Sequence, residues 1–141
     1  NIKKNSNIGI MTYIYGYLPM FESSRTLITN FLKYVNMDKK DDLYYLYEEE
    51  RDKYYPIYEK NDETFILEDI LNEIKEINIF KDNNIDYVVL NGLLHTENDF
   101  NNVVDYYIEA LNNGDIDSIY KKMNNNNTGF LYKETIYKVK P

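Results

Sequence analysis

Two apolar runs, each stopping at a glycine, constrain this chain most. Ile8-Gly9-Ile10-Met11-Thr12-Tyr13-Ile14-Tyr15 ends at Gly16, and Ile85-Asp86-Tyr87-Val88-Val89-Leu90 ends at Asn91-Gly92. β-Branched and aromatic residues suit a pleated strand, and near-continuous apolar character is what a strand covered on both faces shows. A helical pattern follows each run. Tyr17-Leu18-Pro19-Met20 cannot continue a regular helix, but Ser24 is placed to cap one in which Leu27, Ile28, Phe31, Leu32 and Val35 recur at three and four. After the second run, Thr96 with Asp99 three residues on is a near match to a capping box. Phe100, Val103, Val104, Tyr107 and Leu111 continue the stripe, and Asn112-Asn113-Gly114 supplies the stop.

The residues between these βα-type segments read differently. From Leu43 to Tyr58 two aromatic strands flank the charged turn Glu48-Glu49-Glu50-Arg51-Asp52-Lys53, which predicts a hairpin with Pro56 at an edge. Its tyrosines, Tyr44, Tyr45, Tyr47, Tyr54 and Tyr55, form a packing or protein-contact surface, or a platform on which bases stack. The surrounding carboxylates favour the first. Phe65-Ile66-Leu67 reads as a short strand, and Glu68-Asp69 puts negative charge where a helix carrying Ile70, Leu71, Ile74 and Ile77 on one face would begin. Asp115 to Met123 gives a short helix, and Phe130 to Val139 a last extended segment. The fold class is therefore α/β: a partial βα-barrel-like layer of about three main strands and flanking helices, with an inserted aromatic β-hairpin. Three strands cannot close a barrel, so the layer is open or a second copy completes it as a homodimer.

Composition narrows the functions. A chain of 141 residues with 43% apolar content buries one core, so residues 1–141 are expected to form a single domain. No stretch nears the ~18 apolar residues of a membrane span, and no secretory signal follows Lys3-Lys4, so the expected location is the cytoplasm. The net charge of −8 disfavours nucleic-acid binding through this segment alone, because a phosphate backbone is held by clustered Lys and Arg. Arg25 and Arg51 are the only arginines, and the one local concentration of positive charge is Lys121, Lys122, Lys133, Lys138 and Lys140. Cysteine is absent, which removes disulfides, thiolate zinc and cysteine-held iron–sulfur clusters supplied by this chain. Glu48-Glu49-Glu50 and Asp38, Asp41 and Asp42 lack the ligand spacing of a calcium loop, so no metal and no cofactor is expected. Twenty asparagines read as the amino-acid bias of an AT-rich genome. Asn1 is not an initiator.

Read in order, Ile14-Tyr15-Gly16, Ser24-Arg25-Thr26-Leu27, Tyr45-Leu46-Tyr47 with Tyr55-Pro56-Ile57, Phe65-Ile66-Leu67, Ile85 through Gly92, Val103 through Ala110 and Thr128-Gly129-Phe130-Leu131 resemble the collagenase-like peptidase family, unassigned class number thirty-two. The order and spacing of the seven pieces carry the resemblance. It implies the C-terminal portion of a longer protein whose preceding half is built like a βα barrel. It also implies a family labelled as peptidases, several members of which are associated with hydroxylation of tRNA or ribosomal RNA and bind an iron–sulfur cluster through cysteines.

The departures fall on the reactive positions. Tyr15-Gly16 stands where the resemblance implies His-Gly, Met11 where an acidic residue is implied, and Arg25-Thr26 where Arg-Cys opens the cluster motif. On the later strand the family's Lys, Glu and Arg fall on Val89, Asn91 and Leu93, and Gly92 alone is retained. An amide cannot titrate, a leucine offers no donors and a threonine is no thiolate. Three expectations follow: a non-catalytic paralogue acting as structural or regulatory partner of an active relative through the tyrosine hairpin; an RNA-hydroxylation component whose missing groups come from elsewhere; or a peptidase. For the last the chain offers no cysteine and a single histidine, His95, expected to be structural or exposed.

Overall fold

The computed structural model of the chain describes residues 2–123 and 127–133. The chain forms two compact units, one from Asn1–Gly16 with Ile70–Pro141 and the other from Tyr17–Asp69. Its elements are mixed helix and strand, and the class is α/β.

In the first unit, α1 (Ile2–Asn5) precedes β1 (Met11–Gly16), which lies at the centre of a three-stranded sheet. β7 (Tyr87–Leu90) runs parallel to β1 on one side, and the two-residue β6 (Leu71–Asn72) runs antiparallel on the other. The helices are α3 (Ile77–Asp82), entered through a 3₁₀ turn at Ile74–Glu76, then α4 (Glu97–Leu111) and α5 (Ile116–Met123). They bury Ile14, Tyr15, Ile74, Ile77, Val103, Tyr107, Ala110 and Ile119 in one cluster. Full burial of an aliphatic side chain such as Ile14 or Ile119 contributes about 1.5–3 kcal/mol each, so this cluster is what holds the sheet to its helices.

The ends of α4 follow from local chemistry. Thr96 Oγ1 accepts from the Asp99 amide at 3.2 Å, and Glu97 and Asp99 complement the positive end of the helix. At the other end Asn113 adopts φ +66°, the Gly114 amide donates to the Glu109 carbonyl at 2.8 Å and the Asn113 amide to Ala110 at 3.3 Å. This is the paired-bond stop of a Schellman motif, with asparagine in the left-handed position.

The second unit is an antiparallel four-stranded sheet in the order β2 (Pro19–Ser23), β5 (Glu63–Leu67), β4 (Lys53–Lys60), β3 (Leu43–Glu48), with α2 (Leu27–Tyr34) packed on one face through Ile28, Leu32 and Ile57. The aromatic hairpin of the sequence is thus β3–β4, in register from Leu43↔Tyr58 to Glu48↔Lys53.

Several local expectations are corrected. Among the described residues the strands form one three-stranded sheet and a separate four-stranded one, because the hairpin recruits β2 and β5, so that Phe65-Ile66-Leu67 joins the hairpin's sheet, and because Leu71–Asn72 pairs with β1. No helix begins at Glu68-Asp69. Leu71, Ile74 and Ile77 are buried, but the Glu73 amide is used to reach the Ile14 carbonyl at 2.9 Å, which commits this backbone to the sheet rather than to a helical turn. Glu68 and Asp69 instead pair with Lys53. Ser24 does not cap α2: Thr26 occupies the cap position without a side-chain bond, and the Leu27 amide donates at 2.9 Å to Thr64 Oγ1 from β5. Pro56 lies on the inner strand β4, not at an edge, opposite Tyr45 of β3 and one residue before the ladder to β5 begins at Ile57. β1 begins at Met11 rather than Ile8, and Val35 ends α2 as its C-cap. Residues 130–132 form turns rather than an extended strand, and 134–139 of that expected segment lie outside the described residues. Among the described residues no helix is long and apolar enough to cross a membrane.

Candidate functional site

In open α/β sheets ligands sit beyond the carboxyl ends of parallel strands. Here that edge is where β1 and β7 end side by side. The Asn91 amide donates to the Tyr15 carbonyl at 2.9 Å, and Gly16 has φ +108°. A Cβ at Gly16 would stand 2.2 Å from the Asn91 carbonyl oxygen, so only glycine lets the two strand ends approach this closely. Five of the positions singled out by sequence, Tyr15, Gly16, Asn91, Gly92 and Leu93, therefore share one edge.

The loop leaving β7 is tightly wound. Asn91 Oδ1 accepts from the Leu93 amide at 3.0 Å, the His95 amide donates to the Gly92 carbonyl at 3.1 Å, and Leu94 takes φ +62°, a left-handed conformation rare for leucine. The winding delivers the His95 ring to 5.5 Å from the Tyr15 ring and 6.2 Å from Phe100. Burial holds the imidazole below its ordinary value, against a weaker opposing pull from Asp99, so the neutral ring is favoured.

Beneath the edge lies a polar network absent from the sequence reading. The register of β1 against β7 slips between Tyr13 and Tyr15, placing a bulge at Ile14. The Ile14 carbonyl accepts from the Glu73 amide at 2.9 Å and from the Tyr107 hydroxyl at 2.9 Å, and that hydroxyl lies 3.0 Å from Asn72 Oδ1. Tyr107 also meets the Tyr15 ring edge-on at 5.9 Å. Asn72, Glu73 and Tyr107 are all buried. Burial, with repulsion from Glu76 second, pushes the Glu73 carboxyl up to about 7, and burial pushes the Tyr107 phenol well above its ordinary value. The signal that could have found them is the polar pair Asn72-Glu73 interrupting Ile70-Leu71 and Ile74, since a buried polar residue is more informative than an apolar one.

Arg25 and Thr26 belong to the other unit, at the start of α2, where Arg25 is exposed and its carbonyl accepts from the Thr64 hydroxyl at 2.6 Å. Of the tyrosines, Tyr55 is buried and Tyr44 half-buried against α2, which leaves Tyr45, Tyr47 and Tyr54 as the exposed ones. Lys121 and Lys122 end α5, with Lys122 5.7 Å from the Tyr106 ring; Lys138 and Lys140 lie outside the described residues.

The donor set does not fit an iron–sulfur cluster. Soft iron–sulfide units are held by thiolates, the chain has none, and Thr26 offers only a hydroxyl. What the edge can do is hold a shape; the Glu73 carboxyl lies buried beneath it and keeps its proton up to about neutral pH.

A curated relative, the "tRNA hydroxylation protein P2" of Bacillus subtilis (strain 168), is 30% identical over 162 residues, covering 96% of this chain and 52% of the relative. The chain thus spans about half the length of that protein. No solved structure matches it significantly. The profile of Peptidase family U32 matches residues 1–139, nearly the whole chain, and the chain belongs to that family.

Proposed function

We propose that this chain is a component of a tRNA-hydroxylation system in which its own segment supplies scaffold and a partner surface, while the reacting groups come from elsewhere. The relative named for tRNA hydroxylation supports the process. The observation that carries the scaffold role is the β1/β7 edge: Gly16 is packed against Asn91 so tightly that no side chain fits, yet the surrounding motif positions hold Tyr15, Asn91 and Leu93. The edge is locked in shape by Gly16, while the positions that the resemblance marks as proton-moving carry Tyr15, Asn91 and Leu93. A tyrosine-rich hairpin with exposed Tyr45, Tyr47 and Tyr54 offers the surface through which an active relative would be met.

Nucleoside mass spectrometry of tRNA from cells lacking the protein tests this. The hydroxylated nucleoside should fall without the chain, and complementation with His95→Ala combined with Glu73→Gln should restore it. An unchanged tRNA profile on deletion overturns the process. Failure of the folded double variant to complement overturns the scaffold role and makes the edge reactive.

A further inference from the structure

The outermost strand of the second unit is unusually open to addition. β3 has β4 on one side and is the last strand of its sheet. Natural edges are protected by lysine, proline, a bulge or a short length. β3 carries none of the first three: its sequence is Leu-Tyr-Tyr-Leu-Tyr-Glu, and its register against β4 runs without a shift through all six residues. Its middle three side chains, Tyr45, Leu46 and Tyr47, are exposed, Tyr45 60% and Leu46 44% accessible.

Beside this edge lies an apolar groove of about 360 Å³ between α2 and the sheet, lined among others by Leu27, Phe31, Leu32, Tyr44, Leu46 and Ile57. Phe31 on its rim is 62% exposed. α2 covers Tyr44 of β3 only in part and leaves Leu46 and Phe31 exposed, so apolar side chains of an added strand would meet Leu46, Tyr44 and Phe31.

Charge selects the occupant. Tyr17–Asp69 holds thirteen acidic and seven basic residues, so most of the chain's net charge of −8 is concentrated here. Asp41-Asp42 precede β3 and Glu48-Glu49-Glu50 close it, while Lys39 is ion-paired to Glu59 and Arg51 to Glu48. Counting Lys39-Lys40, Arg51 and Lys53, the edge is apolar in the middle with a net negative balance at each end, carried by Asp41-Asp42 and by Glu49-Glu50. A second copy is a poor occupant. Antiparallel pairing would set Asp41-Asp42 of one copy against Glu48-Glu49-Glu50 of the other, and parallel pairing would set each acidic end against itself; like charges facing across strands are destabilising.

We infer that the β3 edge, with the α2 groove beside it, accepts an extended segment of a partner protein, an added strand with apolar residues at its centre and lysine or arginine at both ends. This deepens the partner-surface part of the function proposed above, and rests on it only for the identity of the partner. Main-chain hydrogen bonds to β3 would supply affinity, the groove would read alternate side chains, and the acidic ends would fix register.

The test uses the full chain and a fluorescein-labelled peptide with a Val-Thr-Val-Tyr-Val centre and two lysines at each end, followed by fluorescence anisotropy. Saturable binding is expected. Methylating alternate backbone nitrogens of the peptide, replacing its lysines by glutamate, or introducing Glu49→Lys with Glu50→Lys in the protein should each weaken binding by about tenfold or more. Equal binding of the N-methylated peptide overturns strand addition, and equal binding of the glutamate-flanked peptide overturns the charge selection. Sedimentation showing a dimer that Tyr45→Lys dissolves would make a second copy the occupant and overturn the assignment. None of these readouts depends on tRNA hydroxylation, so the edge and the process can fail separately.

Discussion

The Cα of Gly16 faces the carbonyl of Asn91 so closely that an added methyl would sit 2.2 Å from its oxygen. The neighbour is backbone, at the end of a strand already bonded to Tyr15, and cannot swing aside. With φ at +108° as well, Gly16→Ala is expected to destabilise the protein by roughly 3–5 kcal/mol. Gly92→Ala meets the Phe100 ring at 3.1 Å, a side chain that can give, and should cost about 1 kcal/mol. Urea denaturation of the two variants measures the gap; equal losses would mean the strand ends are not the rigid element described.

Tyr107→Phe removes a hydroxyl shared between the Ile14 carbonyl and Asn72 Oδ1 while keeping the ring in the core. Ile14 keeps its bond from the Glu73 amide and Asn72 its contact with the Ile74 amide, so the loss should be roughly 1–2 kcal/mol rather than more. A double-mutant cycle with Asn72→Ala should show coupling. Strict additivity would remove the shared-hydroxyl network.

Glu73 gives the stability a pH dependence of definite sign. Its folded value of about 7 lies above its ordinary 4.5, so between those pH values the folded state holds the proton more tightly than the unfolded one. Stability is therefore fullest below about 4.5 and declines as pH rises towards 7, by an amount on the order of 2–3 kcal/mol. Glu73→Gln should abolish that decline, raising the melting temperature at pH 8 and leaving it unchanged at pH 4. Parallel pH profiles for the two proteins would show that the carboxyl is not held in a desolvated place.

Thr64 joins β5 to the start of α2, accepting from the Leu27 amide and donating to the Arg25 carbonyl. Thr64→Val keeps the shape and loses both bonds at a fully buried position, for a cost of roughly 1–3 kcal/mol. Thr64→Ser should recover most of it. Hydrogen exchange at the Leu27 amide should accelerate in the valine variant alone, and unchanged protection there would show that α2 is held by its apolar face only.

Element type was legible wherever local chemistry and burial agreed. Thr96 and Asp99, the Asn113 stop and the Leu43–Tyr58 hairpin all carry their causes within a few residues of one another. Errors arose where a distant partner decided the outcome. Ser24 loses its capping role because Thr64, about forty residues on, reaches the same amide. Leu71 reads as helix from its spacing with Ile70, Ile74 and Ile77, but the pairing of Leu71–Asn72 with Tyr15 and Gly16 claims it for the sheet, a contact no local period encodes. The site was half legible for the same reason. Tyr15, Gly16 and Asn91 end strands that could be recognised singly, whereas Glu73, Asn72 and Tyr107 converge only because the bulge at Ile14 exposes a carbonyl that needs donors.

Gly16 and Leu71 are cross-strand partners, yet the entire second unit is threaded between them. Chain departs from the first sheet and returns to it through a single doorway, the geometry of an ordinary hairpin whose turn has been swapped for a 53-residue module. Because both flanking strands are paired to each other at Gly16 and Leu71, the first sheet's own ladder closes without any residue of that module. A loop-closing dipeptide in place of residues 17–69 should leave the first sheet's amide protection intact, since the pairing of Gly16 with Leu71 needs only a turn between them.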